Sequence, residues 1–374
     1  MLTYAEPAAV GLDADQLARV YAYLESEAAA QHIPGAALLV ARHDEPVAPR
    51  AFGSPHLAGG TPMRPENIFL VASVTKPLTV TAAMLLVERG QLCLDELVGD
   101  IIPEFASKGK ETVRVRHLMS HTSGLPDMLP DNQALREQHQ PLSEFVKRMY
   151  DLELSFPPGT NIQYQSCGLA ILGEIVERRA GTRLPQFLRT EVFDPLGMHD
   201  TGLGAAGLDH ARIAEVNVGP DMEGKDWNWN MPYWWNFGAP WGGMFTTVSD
   251  FYRLLQMFLN GGEFGGVRVL SPATTAVMTR DHTSDNPQIP AEVRYRQAWG
   301  LGWGLHWRRH PTAGWPYFGD LTAPGTFGHG GATGTVVWAD PARELVCVIF
   351  TTEPSALNQG ILGRCSNLVA ASII

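Results

Sequence analysis

Two polar residues three positions apart form the first candidate for chemistry in this 374-residue chain. Ser73 and Lys76 lie between an apolar, strand-like stretch at residues 69–72 and a helical pattern that ends at Gly90. Spacing i, i+3 on a helix places both side chains on one face. A serine hydroxyl is a poor nucleophile until a base removes its proton, and a partly desolvated lysine can be that base. The pair therefore predicts nucleophilic catalysis.

This Ser-x-x-Lys pattern is weak support by itself. With fifteen serines and five lysines in the chain, about 0.2 such patterns are expected by chance. A second copy, Ser107 to Lys110, lies in a polar, Gly-containing stretch without an apolar helix behind it. We interpret that copy as a solvated loop. For Ser73 alone, a nucleophile and a helix-cap serine are equally acceptable interpretations.

Two later tripeptides change that balance. Tyr164-Gln-Ser166 precedes a helical pattern, and His329-Gly-Gly331 precedes a strand pattern. Taken singly, each is better explained by local structure, as a tyrosine that anchors a turn or a Gly-rich turn that enters a strand. The three patterns in this order are far more specific than any one of them.

With these three boxes, the sequence resembles the serine β-lactamase and penicillin-binding protein superfamily. The similarity is to the branch of class C β-lactamases, D,D-peptidases and family VIII carboxylesterases, and is closest in motif to the carboxylesterases. Supporting segments at residues 117–125, 156–160 and 242–250 extend it over nearly the whole chain.

The resemblance implies a role for each matching residue. Ser73 would attack a carbonyl and carry the acyl group, and Lys76 and Tyr164 would share the general-base work. Tyrosine has a reference pKa of about 10, so the nearby ammonium would have to hold Tyr164 as an anion. The backbone N–H groups of Ser73 and Ala332 would hold the tetrahedral oxyanion.

Departures from the family pattern concern the substrate more than the mechanism. The third box usually offers a lysine and a threonine hydroxyl, which suit the carboxylate of a β-lactam, whereas this chain has His329, Gly330 and Gly331. Ser166 replaces the usual asparagine of the second box. Both changes favour ester hydrolysis over penicillins and peptidoglycan stems.

The leading hypothesis is a carboxylesterase for small apolar esters. A β-lactamase, a D-amino-acid peptidase or amidase, and an acyltransferase stay open, and the partner in each case is a small-molecule ester, amide or lactam. A non-enzymatic alternative is a catalytically silent relative that binds a peptide. The oligomeric state is not predicted.

Composition excludes other classes of function. The net charge of −11 is opposite to the basic excess of a nucleic-acid-binding protein. The chain has no HExxH, Walker A or GxSxG motif, so we expect no metal and no cofactor.

The four cysteines are scattered, which is typical of a reducing compartment. We expect Cys347, inside an apolar run, to be buried. No signal peptide or membrane span is recognisable, and the chain is predicted to be cytoplasmic with no membrane partner.

Helical patterns occupy residues 13–31, 78–89, 167–179, 185–192, 249–259 and 357–371, and strand patterns residues 36–42, 334–339 and 344–351. The last two strands flank Asp340–Pro341 and predict an antiparallel hairpin. The predicted fold class is α/β (α+β), with an antiparallel sheet from both chain ends, flanking helices and an inserted, mostly helical lobe, as in the β-lactamase/transpeptidase fold. The predicted domains are a sheet domain at 1–70 and 295–374 and a helical domain at 71–294, with the active site in the cleft between them.

Aromatic residues cluster before the third box. Five of ten tryptophans lie between Trp227 and Trp241. They form either a loop packed on its own aromatic rings or an aromatic lip over the cleft. Trp303 is a further candidate for the same cleft.

Overall fold

A computed structural model describes residues 2–220, 222, 224–225, 227–306 and 316–374. Its α-helices are α1 Ala14–Ala29, α2 Lys76–Glu88, α3 Val98–Ile101, α4 Val115–Met119, α5 Asn132–Glu137, α6 Leu142–Met149, α7 Cys167–Ala180, α8 Leu184–Leu188, α9 Pro232–Phe237, α10 Val248–Leu259, α11 Pro272–Thr279, α12 Ala291–Arg294 and α13 Ile361–Ala370. Its strands are β1 Gly35–Arg42, β2 Glu45–Pro46, β3 Arg50–Gly53, β4 Phe69–Leu70, β5 Gly202–Leu203, β6 Met244–Thr246, β7 Glu263–Phe264, β8 Val267–Arg268, β9 Ala298–Trp299, β10 Gly304–Leu305, β11 Phe327–Gly331, β12 Thr335–Asp340 and β13 Leu345–Thr351.

The main sheet is antiparallel and unites the two ends of the chain. Its strand order is β2-β1-β13-β12-β11-β10-β9, and β3 also pairs with β1. The register of β1 on β13 runs from Ala36 opposite Thr351 to Arg42 opposite Leu345. The predicted hairpin is confirmed, because β12 and β13 pair from Thr335–Phe350 to Asp340–Leu345 across the turn at Asp340–Pro341.

Both faces of this sheet are covered, which explains why its strands are uninterrupted apolar runs. Alternate residues of a strand point to opposite faces. In β13, Val346, Val348 and Phe350 join the core shared with the inserted helices, whereas Leu345, Cys347 and Ile349 join the core beneath α1 and α13. The expected burial of Cys347 is confirmed.

The terminal helix α1 forms where its start signal predicts. The carboxylate of Asp13 caps it by accepting hydrogen bonds from the N–H groups of Asp15 and Gln16. Leu17, Val20 and Leu24, spaced at helical intervals, form its buried face.

The inserted region is organised around a helix that is buried on all sides. Every residue of α2 from Lys76 to Leu86 is buried, and α2 packs against α7. The short strand β4 pairs with β6 immediately before α2. The residues between β4 and α2 are therefore held at both ends.

The predicted fold class is confirmed, and one predicted helix differs in detail. The helix predicted at 185–192 is divided into α8 and a π-helical turn at Arg189–Phe193. Residues 298–305 contain the two-residue strands β9 and β10, and Gly302, which has a positive φ, lies in the turn between them. The two-domain division stays a prediction. Among the described residues, every helix is too short or too polar to cross a membrane.

The turn of the β12–β13 hairpin depends on a fully buried carboxylate. Asp340 accepts hydrogen bonds from Ala323 N (2.9 Å), Ala342 N (3.1 Å) and the Arg343 guanidinium (2.8 Å). It therefore ties the hairpin to the chain that leads into β11, the third-box strand.

Replacing Asp340 by alanine removes these acceptors, so the partly buried N–H of Ala323 loses this partner. We expect Asp340→Ala to lower the free energy of unfolding by about 2–3 kcal/mol, measured by urea denaturation. The control Asp151→Ala removes an exposed carboxylate near Lys108 and should change it by less than about 0.5 kcal/mol. Equal effects of the two substitutions would contradict the role given to Asp340.

Candidate active site

Ser73 lies in a constrained turn at the start of the buried helix. Residues Ala72–Thr75 form a 3₁₀ turn that leads directly into α2. The residue before the serine, Ala72, has φ = 44°, a left-handed conformation that is costly for a residue with a Cβ atom. Thr75 stabilises the turn, because its hydroxyl donates to Ala72 O (2.6 Å) and accepts from Met244 N (3.0 Å).

The pair predicted from the sequence is in contact. Lys76 Nζ donates a hydrogen bond to Ser73 Oγ (3.0 Å) and another to the carbonyl of Trp241 (3.1 Å). Lys76 is fully buried, whereas Ser73 keeps part of its surface exposed. A substrate can thus reach the hydroxyl, while water has no access to the amine.

Burial alters the protonation of Lys76. Desolvation lowers the pKa of its amine to about 7, and the negative charge of Asp127 opposes this shift. A large fraction of the amine is therefore neutral near pH 7. A neutral amine hydrogen-bonded to a serine hydroxyl can accept its proton.

Tyr164 completes the group around Ser73. Its hydroxyl interacts with the Ser73 side chain, and Lys76 Nζ lies 4.5 Å from its ring centroid. Burial raises the pKa of Tyr164 well above its usual range, and the charge of Asp127 adds to the rise. The raised pKa of Tyr164 and the lowered pKa of Lys76 therefore do not support the expected phenolate in the resting site. The Tyr164 phenol keeps its proton, whereas the Lys76 ammonium gives up its proton more readily than usual.

The segment at residues 117–125 holds the second box in place through Gln165. Its side-chain amide donates to the carbonyls of His117 (3.0 Å) and Leu118 (3.2 Å), and the Ser123 hydroxyl donates to its amide oxygen. Gln165 N donates to His121 Nδ1 (3.2 Å). These contacts fix the backbone on the C-terminal side of Tyr164.

A carboxylate that the sequence analysis did not single out lies behind the second box. Asp127 accepts hydrogen bonds from Ser166 N through both its side chain (2.8 Å) and its carbonyl (3.0 Å). Ser166 is the N-cap of α7, so the carboxylate stands at the positive end of a helix. The sequence offered one indication of Asp127, which lies two residues after the supporting segment at residues 117–125.

The third box brings a neutral imidazole to the site. His329 Nδ1 donates to Gly330 O (2.7 Å). Burial lowers the pKa of His329 to about 3, with a further contribution from the charge of Lys76. The ring centroid of His329 lies 6.0 Å from that of Tyr164. His329 therefore stands beside Tyr164 and adds no positive charge.

The turn after the third box docks on the backbone that carries Ser73. Thr333 Oγ1 donates to Leu70 O (2.6 Å) and Thr335 Oγ1 to Val71 O (3.1 Å). A Cβ atom on Gly331 would lie 2.2 Å from Val71 O, so this close approach requires glycine. Ala332 lies in the turn between these contacts, next to the nucleophile segment.

Trp299 is a second residue that the sequence analysis missed. Its fully buried ring lies 4.2 Å from His121, 5.8 Å from Tyr164 and 5.9 Å from His329, centroid to centroid. It belongs to a stretch of alternating small and large apolar residues at 298–305, a pattern that points to no particular chemistry. It fills the space behind the rings of the second and third boxes.

Most of the tryptophan cluster is core rather than an aromatic lip. Trp227, Trp234 and Trp241 are buried, and the guanidinium of Arg136 lies 4.8 Å from the rings of both Trp227 and Trp234. Trp303 is also fully buried, against Phe258 and Phe327. The interpretation as a self-packed loop therefore holds for these residues, and Trp303 does not face a cleft.

The second Ser-x-x-Lys copy is not the solvated loop that we expected. Lys110 is fully buried, donates a hydrogen bond to Leu152 O (2.6 Å) and lies 5.4 Å from the ring of Phe105. The polar sequence around Lys110 does not predict this burial, because residues that cover the lysine, such as Leu152, come from another segment of the chain. Lys110 acts as a structural cation in the described contacts.

The chain is similar to known proteins in sequence and in fold. A family model described as Beta-lactamase matches residues 20–360. Esterase EstB of Burkholderia gladioli is 31% identical over 87% of this chain and 89% of its own. EstCE1, described as a hydrolase with promiscuous acyltransferase activity, superposes with a TM-score of 0.77 at 22% identity over 96% of this chain and 98% of that one. A penicillin-binding protein homologue from Caulobacter crescentus gives a TM-score of 0.75 at 24% identity over 97% of this chain and 99% of that one.

The contact of Gly331 with Val71 yields a prediction. A methyl group at position 331 must push the third-box strand away from the nucleophile turn. We expect Gly331→Ala to slow the labelling of Ser73 by a fluorophosphonate roughly 100-fold, since a displacement of about 1 Å has this effect on a reacting group. Labelling is followed by intact-mass spectrometry.

The matched control is Gly325→Ala, at a position where a new Cβ atom meets nothing within 4 Å. Its positive φ predicts a small loss of stability and an unchanged labelling rate. If Gly331→Ala were labelled as fast as the wild type, the close approach would have no role in the site.

Proposed function

The chain belongs to the Beta-lactamase family, and we propose that it is a serine hydrolase that forms an acyl-enzyme on Ser73, with small, neutral, apolar esters as its substrates. The resemblance stated from the three boxes is thus confirmed. EstB is an esterase by its description, which supports carboxylesterase activity for this chain.

One observation carries the proposal: a partly exposed serine hydroxyl receives a hydrogen bond from a fully buried lysine amine. An amine with a pKa near 7 is matched to proton transfer at neutral pH. A lysine that served only as a structural cation, like Lys110, would have no need to contact a hydroxyl that faces solvent.

Acylation begins with transfer of the Ser73 proton to neutral Lys76 while Oγ attacks the ester carbonyl carbon. The resulting ammonium lies over the ring of Tyr164 and makes the phenol more acidic at that moment. Tyr164 then donates its proton to the departing alkoxide and recovers one from the lysine. The products of this half-reaction are a free alcohol and an ester on Ser73.

The tetrahedral oxyanion needs two donors. The N–H groups of Ser73 and Ala332 donate to no acceptor among the described residues, and the contacts of Leu70 and Val71 with the third-box turn keep their segments together. Preorganised backbone donors of this kind stabilise the charge that develops on the carbonyl oxygen. Water then attacks the acyl-enzyme by the reverse proton path and releases the carboxylic acid.

The charge of the third box supports a neutral substrate. His329 is uncharged because of its low pKa, and Gly330 offers no hydroxyl. A carboxylate placed there would lose its hydration without gaining an ion pair. An ester with apolar substituents incurs no such cost.

The location of the site and of the protein are further parts of the proposal. Ser73, Lys76 and Tyr164 come from the inserted segment and His329 from the main sheet, which supports a cleft between the regions 71–294 and 1–70 with 295–374.

Cytoplasmic location is supported by the cysteines, since all four are free thiols.

Incubation with p-nitrophenyl butyrate tests the function. We expect release of nitrophenol, a butyryl adduct on Ser73 by intact-mass and peptide mapping, and loss of turnover in Ser73→Ala. Tyr164→Phe should lose nearly as much activity, because residues that act as a unit are not additive in their effects.

A penicillin serves as the comparison substrate. A stable penicillin adduct on Ser73 without ester turnover would favour a peptidase or a binding role. Turnover that survives in Ser73→Ala would exclude the acyl-enzyme scheme. Ser107→Ala, at the second Ser-x-x-Lys copy, is the matched control and should behave as the wild type.

The pKa of Lys76 predicts the pH dependence of the reaction. Because the neutral amine is the base, kcat/KM should increase as the pH rises through about 7 and should fall about tenfold per pH unit well below that value. Stopped-flow assays from pH 5 to 9 measure this limb.

Asp127→Asn sharpens the test. The Asp127 charge raises the pKa of Lys76, so its removal should move the acid limb to lower pH, while the asparagine oxygen can still accept from Ser166 N. A limb that stays in place or moves to higher pH would show that Lys76 is not the titrating base.

A further inference from the structure

The tip of the Tyr317 side chain lies directly against the backbone of Gly330. A Cβ atom built on Gly330 would lie 2.8 Å from Tyr317 Cζ, 3.0 Å from Cε2 and 3.2 Å from Oη. The φ angle of Gly330 is not in the left-handed region, so backbone conformation does not demand glycine here. Glycine is needed because the Tyr317 phenol occupies the space that a side chain at position 330 would fill.

Tyr317 is held in this position from behind. It belongs to the 3₁₀ turn Pro316–Phe318, and its carbonyl accepts a hydrogen bond from Ser366 Oγ (2.7 Å) on α13. Ser366 Oγ in turn accepts from Trp338 Nε1 (3.0 Å). Ser366, Trp338 and Phe318 are all fully buried. The turn is therefore anchored to both β12 and α13.

The same phenol lies beside the part of β11 that β10 leaves unpaired, since β10 pairs only with Phe327 and Gly328 among the described residues. Gly330 follows His329, whose ring stands beside Tyr164. Burial raises the pKa of Tyr317 well above its usual range, and a negative charge on Tyr164 would raise it further. Tyr317 also keeps part of its surface exposed, and its raised pKa favours the uncharged phenol.

We propose that Tyr317 is a specificity-determining residue: its phenol occupies the place of a side chain at position 330 and makes this wall of the site selective for neutral over carboxylate-bearing substrates. The inference rests on the proposed esterase function and identifies the residue that sets its substrate class. The residue type at position 330 of the third box is thus coupled to Tyr317, which lies outside all three boxes.

Two physical effects produce the selectivity. The phenol fills the volume beside Gly330, so a carboxylate cannot approach the β11 backbone there. The neighbouring His329 is neutral and Gly330 has no hydroxyl, so a carboxylate that did enter would lack a partner for its charge. Removing the ring and restoring a hydroxyl should relieve both effects.

The test is a double-mutant cycle of Tyr317→Ala and Gly330→Thr, with melting temperature as the first readout. Gly330→Thr alone should lower Tm because the new side chain collides with the phenol. In the Tyr317→Ala background the same substitution should lower Tm much less. An equal loss of Tm in both backgrounds would overturn the packing claim, whether or not the protein is an esterase.

The second readout is kcat/KM for phenyl butyrate and for 3-carboxyphenyl butyrate, which differ by one carboxylate on the leaving group. We expect the wild type to prefer the neutral ester and the double variant to reduce that preference roughly tenfold, mainly through the KM of the anionic ester. Tyr317→Phe keeps the ring and should keep the preference. Tyr4→Ala, at an exposed tyrosine, is the control for unspecific effects.

The possible failures are distinguishable. A wild type that hydrolyses neither ester and forms no adduct on Ser73 speaks against the proposed function, and the Tm cycle still decides the packing of Tyr317. A wild type that hydrolyses phenyl butyrate, with a preference that is the same in the double variant, would show that Tyr317 does not set the substrate class.

Discussion

The burial of one amine is the constraint on which the rest of this site depends. Lys76 opens α2, a helix that is buried from Lys76 to Leu86, and its only described hydrogen bonds are to Ser73 Oγ and to the carbonyl of Trp241. An ammonium ion in such a place loses most of its hydration. Burial therefore disfavours the charged form of this amine and brings its pKa close to neutrality, beside the partly exposed hydroxyl of Ser73.

The electrostatics of the neighbouring groups follow from the same burial. His121 and His329 both have lowered pKa values, first because they are buried and then because Lys76 is near. Tyr164 has a raised pKa for the first of these reasons. The resting site thus holds few charges, and Asp127, at the N-terminus of α7, supplies a negative charge that favours the ammonium form of Lys76. In the proposed reaction, charge separation arises during acylation instead of being stored in the resting site.

Long-range backbone contacts bring these groups together. The third-box turn bonds to Leu70 and Val71 across more than 260 positions of sequence, and Gln165 bonds to the segment at 117–125. In both cases the contacts involve carbonyl or amide groups next to a catalytic candidate. The positions of the candidate catalytic side chains are therefore set by the backbone on either side of them, and small residues such as Gly331 permit the approach.

The sequence by itself determined the family, the fold class, the three boxes and most of the long helices and strands. These features depend on local periodicity and on motif order, which each segment carries in its own residues. Tertiary structure alone decided the neutral state of His329, the protonated state of Tyr164, the burial of Lys110 and of the tryptophans around Arg136, and the recruitment of Asp127, Trp299 and Tyr317. Each of these depends on burial or on contact between segments that are distant in the chain. Desolvation is a property of the assembled surroundings, and no spacing of residues within one segment can express it.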